Sequence, residues 1–124
     1  TLNEDDGVRF KPSVTSFVSL AKAQKAAETV VAELNKKDCV GSIKVTGFVA
    51  SGVDKDKYNS AEIEAGKALS LARAQAFADL IRAAGWTGKI EAIGGGKGDK
   101  NDWNADGTFN ETKGKSNRKV VISQ

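Results

Sequence analysis

The 124-residue sequence predicts an α+β fold, a two-layer sandwich with two main helices packed on one mixed sheet. Two segments repeat apolar residues at helical spacing, and short runs rich in β-branched residues alternate with them. The length suits one domain with its own core, and the sequence contains neither an internal repeat nor a second apolar core. The predicted order of elements is β-α-β-α-β-(long loop)-β.

The amino-terminal residues carry three acids and little apolar content. We expect residues 1–7 to form a linker or frayed end and residues 8–124 to form the domain. A short alternating run at residues 8–10 predicts the opening strand. Thr15 or Ser16 is a candidate N-cap for the first helix. The predicted inner face of that helix alternates three- and four-residue steps through Phe17, Leu20, Gln24, Ala27, Val31 and Leu34.

The middle of the chain predicts a strand, a second helix and another strand. Residues 43–49 are rich in β-branched side chains and predict a strand that enters the core. The polar residues 51–60 lead to a helix over roughly residues 61–84, and Gly85 follows where a left-handed C-cap is expected. Residues 89–93 predict the third strand. The predicted inner stripe of the second helix is Leu69, Ala72, Ala76, Leu80 and Ala83.

Residues 94–114 are rich in Gly, Lys, Asp and Asn and predict one long loop, before a last strand at residues 119–122. Residues 94–98 lack the spacing of a phosphate-binding loop, and we interpret them as a flexible strand exit. Residues 102–107 match the first half of a calcium loop, D-x-N-x-D-G. Its last ligand position is Lys113, so we favour a loop of Asx turns and keep calcium as the alternative.

The composition weighs against catalysis. The sequence has no histidine and one cysteine, Cys39, which excludes Ser-His-Asp and Cys-His mechanisms and imidazole-zinc sites. No pair of acids has a spacing that suggests general acid-base chemistry. We therefore expect a protein that is not an enzyme and that uses no cofactor and no metal. The net charge of +3 permits an anionic partner, but the aromatic residues are too few and scattered for a nucleic-acid binder.

Residues 69–85 carry a more specific pattern, L-S-x-x-R-A-x-x-F-x-x-x-I-x-x-x-G. This pattern resembles the characteristic helix of the OmpA-like domain family, the peptidoglycan-binding module of OmpA, Pal and MotB. The resemblance covers about residues 8–123. Further landmarks follow in chain order: Phe10 with Ser13, a strand at 43–47, the pair Tyr58-Asn59, the strand and turn at 90–96, and Asn117-Arg118-Lys119-Val120.

The resemblance implies non-covalent binding of the peptide stem of peptidoglycan at the bacterial cell envelope. In the family, an Asp in a Gly-x-Thr-Asp turn takes the ammonium of diaminopimelate, and the helix Arg takes its carboxylate. The Arg carries over to Arg73, whose planar guanidinium suits a carboxylate. Asn59 is implied as a polar contact, and Arg118 as a second contact or a structural partner. The implied location is extracytoplasmic, in the periplasm or cell-wall space, as for outer-membrane-associated relatives.

The sequence departs from the family at the ligand turn. The position of the Asp is Ala50, or Ser51 if the alignment slips by one residue. Asp54 or Asp56 could supply the missing acid, the ligand could be a different stem peptide or carboxylate, or wall binding could be lost. The alternative function is therefore a degenerate domain that no longer binds peptidoglycan and serves as a protein-protein module for other envelope proteins or as a structural module.

The sequence lacks methionine altogether, and we expect that Thr1 is not the natural beginning and that the chain is a processed form or a domain of a longer protein. No segment has the length of a membrane span or the pattern of a signal peptide. We expect contact with a membrane only through an anchor in the missing upstream part.

Overall fold

The computed structural model describes residues 2–3, 17–36, 41–98 and 101–123. The elements are β1 (Leu2–Asn3), α1 (Leu20–Lys36), β2 (Ser42–Val49), a short 3-10 helix (Lys55–Lys57), α2 (Ser60–Ala83), β3 (Lys89–Lys97), α3 (Glu111–Asn117) and β4 (Lys119–Ser123). This order confirms the α+β class, with one short helix more than the sequence predicts. The predicted opening strand at residues 8–10 lies outside the described residues.

The four strands form one mixed sheet in the order β1-β4-β2-β3. Strand β2 pairs in parallel with β3, where Val45 lies opposite Ala92, and antiparallel with β4. The prediction of a linker at residues 1–7 is wrong for its second and third residues. Leu2 and Asn3 pair with Val120 and Lys119, because the outer edge of β4 offers free backbone groups.

The core lies between the sheet and helices α1 and α2. Along β2 the residues alternate, so that Ile43 and Val45 are buried while Lys44 is exposed. Phe77 and Ile81 of α2 are fully buried against them. A fully buried side chain of this size contributes about 1.5–3 kcal/mol, which makes this layer the main source of stability.

Helix α1 differs from its prediction in its start and in its inner face. It begins at Leu20, because the Ser19 side chain accepts a hydrogen bond from the Lys22 N–H at 3.3 Å and acts as the N-cap. Thr15 and Ser16 lie outside the described residues. Gln24 and Leu20 are exposed, since small alanines and not the longer side chains turn toward the core. The buried residues are Ala23, Ala26, Ala27 and Val31.

Helix α2 has nearly the predicted bounds, but its predicted inner stripe is wrong by about one position. Two polar residues lie on the buried face of α2, and its alanines occur on all sides of the helix. The spacing of apolar residues therefore gives little guidance to which face is buried. The buried residues are Ser70, Arg73, Ala74, Phe77, Ala78 and Ile81. The predicted C-cap is confirmed: Gly85 has φ 112°, its N–H donates to Arg82 O, and the Trp86 N–H donates to Ile81 O.

The predicted long loop at residues 94–114 is also partly wrong. Strand β3 continues through its three glycines to Lys97, because Gly94 lies directly under α2. A Cβ there would be 2.6 Å from the Lys67 carbonyl oxygen. Helix α3 was not predicted, since its sequence is polar and contains glycine. The Asn110 side chain caps it by accepting from the Lys113 N–H at 3.0 Å.

One junction fixes α2 over the carboxyl ends of β2 and β3. The Ser70 hydroxyl accepts a hydrogen bond from the Gly96 N–H at 2.9 Å and donates to the Lys67 carbonyl at 2.8 Å. On the neighbouring strand, a Cβ on Gly47 would lie 2.5 Å from the Ser70 carbonyl oxygen. Helix and sheet therefore approach closely only because Gly47 has no side chain.

The Ser70→Ala variant should lose about 1–3 kcal/mol of unfolding free energy, because the buried Gly96 N–H would have no acceptor. Urea unfolding measures this loss. The matched control is Ser116→Ala, whose hydroxyl is exposed and bonds only the Lys113 carbonyl, and it should stay within about 0.5 kcal/mol of wild type. Equal stabilities of the two variants would contradict the role given to the junction.

Candidate functional site

Arg73 lies one turn after Ser70 on the buried face of α2 and is 6% exposed. The sequence predicts Arg73 at the border of the inner stripe of the helix, whereas in the structure it lies within the buried face. It also interacts with a neighbour in the folded chain, as a buried guanidinium must. A long apolar stem allows such a side chain to pack while its tip reaches a polar group. Its contact with a ligand stays a prediction.

Asn59 is the N-cap of α2, and its Oδ1 accepts a hydrogen bond from the Glu62 N–H at 3.1 Å. It precedes Arg73 by fourteen residues, which corresponds to about 20 Å along a helix axis. The structure therefore gives Asn59 a capping role and does not bring the two predicted site residues together. The separation arises because α2 begins well before the helix motif at residues 69–73.

Arg118 lies between α3 and β4, and its side chain is 23% exposed. Its guanidinium forms an ion pair with Glu111 at the start of α3. The Arg118 N–H donates to the Lys115 carbonyl at the end of the same helix. Of the two roles expected for Arg118, these contacts support that of a structural partner, although an exposed ion pair contributes at most about 1 kcal/mol.

A buried carboxylate, that of Asp102, lies at the exit of β2. It accepts hydrogen bonds from the Ser51 N–H at 2.7 Å, the Ser51 hydroxyl at 2.8 Å and the Asn117 side-chain amide at 3.2 Å. Asp102 has no exposed surface. The sequence indicates Asp102 only as a candidate calcium ligand, because no local pattern connects residue 102 with residue 51.

Helix α3 packs against the same exit. Gly114 lies so close to it that an added Cβ would be 3.3 Å from the Ala50 Cβ and 2.5 Å from the Phe109 ring. Ala50 is half-buried as a result. The turn position at which the family resemblance implies an acid is therefore apolar and borders α3.

The loop before α3 forms the expected Asx turns. The Asp106 carboxylate accepts from the Thr108 hydroxyl at 2.6 Å and from the Thr108 N–H at 3.0 Å, and these bonds lower its pKa. Asn104 Oδ1 accepts from the Asn110 amide, while Asp102 is directed to Ser51. The side chains of the calcium-like pattern thus have separate partners. Within the described residues, no three His, Cys, Asp or Glu side chains are grouped to hold a metal ion.

Asp54 and Asp56, the acids considered as replacements at the ligand turn, both line a pocket beside the turn before α3. A shallow pocket lies between the 3-10 helix and the turn before α3. Asp54 Oδ1 accepts from the Phe109 N–H at 2.9 Å and helps to hold this turn. The pocket is lined by Asp54, Lys55, Asp56, Asp106, Gly107 and Thr108.

Trp103 connects this turn to the end of β3. Its indole N–H donates to the Val53 carbonyl at 2.9 Å, and the Lys97 ammonium lies 4.9 Å from the centre of its ring. The Tyr58 ring meets it edge-on with centroids 5.5 Å apart. Burial raises the pKa of Tyr58, and the negative charges of Asp102 and Glu62 raise it further.

Comparison with solved structures gives the class of this fold. The chain is similar to the C-terminal domain of Helicobacter pylori MotB, with a TM-score of 0.55 and 14% identity over 96% of this chain and 86% of that one. The likeness confirms the expected α+β fold, which this chain shares with that domain. No protein-family model and no curated protein matches the sequence. None of the described helices combines the length and the hydropathy of a membrane span.

Tyr58 should titrate above its ordinary pKa near 10, because burial and two nearby carboxylates disfavour the phenolate. The folded state then holds this proton more tightly than the unfolded state. The stabilisation that this proton gives to the folded state is complete below about pH 10, and it is lost as the pH rises through the raised pKa of Tyr58.

Because Tyr58 is the only tyrosine, the ultraviolet absorbance of tyrosinate reports this group alone. The Glu62→Gln control should lower the pKa of Tyr58 slightly, since the charge of Glu62 raises it less than burial and less than the charge of Asp102. A native pKa at or below that of the denatured chain would contradict the assignment.

Proposed function

We propose that this chain is a non-catalytic domain that binds the stem peptide of peptidoglycan and anchors its protein to the bacterial cell wall. The observation that carries the proposal is the junction at Ser70. It fixes the L-S-x-x-R helix of an OmpA-like fold over the carboxyl ends of β2 and β3. Such a domain works outside the cytoplasm, in the periplasm or cell-wall space.

The proposed role of Arg73 follows from guanidinium chemistry. A planar fork of N–H donors matches the two oxygens of a carboxylate, and a charged hydrogen bond of this kind contributes about 1.5–3 kcal/mol. Arg73 is 6% exposed, so the ligand would meet only the tip of its side chain. A recognition site of this kind requires no nucleophile and no proton transfer. Asn59, the N-cap of α2, and Arg118, the ion-pair partner of Glu111, are proposed only as secondary contacts to parts of the stem peptide away from the carboxylate at Arg73.

The Arg73→Lys variant should reduce retention on purified peptidoglycan about tenfold, because lysine keeps the charge but loses the fork. A sedimentation pull-down measures bound and free protein, and thermal unfolding checks that the variant is folded. The matched control is Arg82→Lys on the same helix. The exposed Arg82 side chain bonds the Trp86 carbonyl, and its replacement should leave retention unchanged. Equal retention of wild type and Arg73→Lys would refute the assignment.

A second candidate is a domain that keeps the fold but has lost the wall ligand and binds another envelope protein. It is favoured by the apolar Ala50, which borders α3, and by the buried Asp102 beside it. In that case wild type should not sediment with peptidoglycan.

The Ala50→Asp variant discriminates between the two candidates. If the rest of the pocket is intact, the new acid should create binding of free diaminopimelate, measured by calorimetry. It should also lower stability by about 1 kcal/mol or more, since the new carboxylate would lie near that of Asp102. A matched Ala50→Asn variant has a similar shape without the charge and should not gain binding.

A further inference from the structure

Strand β3 forms one edge of the sheet and, within the described part of the chain, pairs with β2 alone. The Lys89 N–H donates to the Gly41 carbonyl on the β2 side at 3.1 Å. Because successive residues of a strand direct their backbone groups to opposite sides, every second residue from Lys89 faces β2. The backbone groups of Ile90, Ala92 and Gly94 therefore point away from β2 and form a row of donors and acceptors along the outer edge.

The side chains along this edge are incompletely covered. Ile90 is half-buried, whereas Ile43, its neighbour on the central strand β2, is 1% exposed. Leu71 of α2 lies above the same edge, since a Cβ on Gly94 would be 2.8 Å from the Leu71 Cβ, yet Leu71 is 46% exposed. The edge thus offers backbone hydrogen-bonding groups beside apolar surface, which is the chemistry that another extended strand with apolar side chains would match.

We propose that the β3 edge is the contact surface between two copies of this chain, which join their sheets in antiparallel fashion about a two-fold axis at Ala92. In this register Ile90 of each copy lies opposite Gly94 of the other, so that all three outward-facing residues pair and form about six hydrogen bonds between the chains. Since Gly94 has no side chain, the Ile90 side chain of the second copy has space to pack beside Leu71.

The position of α2 is why a second copy fits better than an isolated peptide strand. A Cβ on Gly47 of β2 would lie 2.5 Å from the Ser70 carbonyl oxygen, and one on Gly94 of β3 would lie 2.6 Å from that of Lys67. Helix α2 therefore runs above the line between these two strands. In a joined sheet, α2 and its copy would lie two strand spacings apart, roughly 10 Å, which is a normal distance for packed helices.

The twist of the sheet gives the same two helices a suitable angle. Each strand spacing rotates the sheet by about 20–25°, so α2 and its copy would cross at about 40–50°. The commonest class of helix packing has a crossing angle of about 50°. Both the spacing and the angle of a joined sheet thus allow the two helices to cover the exposed side chain of Leu71.

This contact surface is separate from the proposed wall-binding site and goes beyond it. Leu71 and Arg73 are two residues apart on α2 and therefore lie on opposite sides of the helix. A dimer formed through β3 would leave Arg73 uncovered by the second copy. It would carry two wall-binding sites, whose simultaneous engagement strengthens attachment without any new contact to the wall.

Sedimentation velocity at protein concentrations from about 1 μM to 1 mM tests the contact. We expect wild type to dimerise reversibly in this range. Leu71→Lys should weaken the dimer at least about tenfold, because its ammonium would be placed against the apolar Ile90 of the second copy. The matched control is Leu20→Lys on α1, which replaces a leucine that is 53% exposed and should keep the wild-type dissociation constant.

Amide hydrogen exchange of wild type locates the contact without a variant. The N–H groups of Ile90, Ala92 and Gly94 should exchange at least about tenfold more slowly at the highest concentration than at the lowest. The Lys89 N–H, which is bonded to Gly41, should change less.

A wild type that is monomeric at every concentration would overturn the inference. So would a dimer whose outward-facing β3 amides gain no protection, or one that Leu71→Lys leaves unchanged. If Leu71→Lys does not fold, the exchange of wild type decides alone. Retention of wild type on peptidoglycan tests the proposed function separately, because a monomer and a dimer both keep Arg73.

Discussion

The hydrogen bond from the Gly96 N–H to the Ser70 hydroxyl is the contact on which the rest of the structure depends. It joins the middle of the long helix α2 to the end of β3, while Gly47 lets the same turn of the helix approach β2. The rotation of α2 about its axis follows from this contact. That rotation turns Arg73 inward along with the apolar residues that fill the core.

Among the residues that the structure describes, the ionisable side chains of Arg73 and Asp102 are buried, and each requires polar partners that an apolar side chain would not. Asp102 satisfies the requirement by joining three parts of the chain: it lies 51 residues after Ser51 and 15 residues before Asn117. A buried charge with full hydrogen bonding stabilises little by itself, yet its loss leaves several donors without acceptors. The contacts of Asp102 therefore mainly fix the position of α3 and add little to the free energy of unfolding.

Local signals in the sequence predict the elements whose structure is decided locally. The β-branched alternation of β2 and the glycine after α2 predict that strand and that helix end correctly, because strand pleating and C-capping act over a few residues. The inner face of α2, the length of β3 and the pairing of β1 depend on contacts between distant segments. In the candidate site, Arg73 can be predicted from a local helix motif. The role of Asp102 cannot, because it depends on a hydrogen bond with the distant residue Ser51.

The strand order has a consequence for how the protein folds during its synthesis. Strand β4 contains residues 119–123, yet it lies between β1 at the start of the chain and the central strand β2. Within this domain β4 is made after both of its neighbours, so β1 and β2 cannot pair with it until residues 119–123 have left the ribosome. Until then the unpaired edges of β1 and β2 are exposed to chaperones and to mispairing.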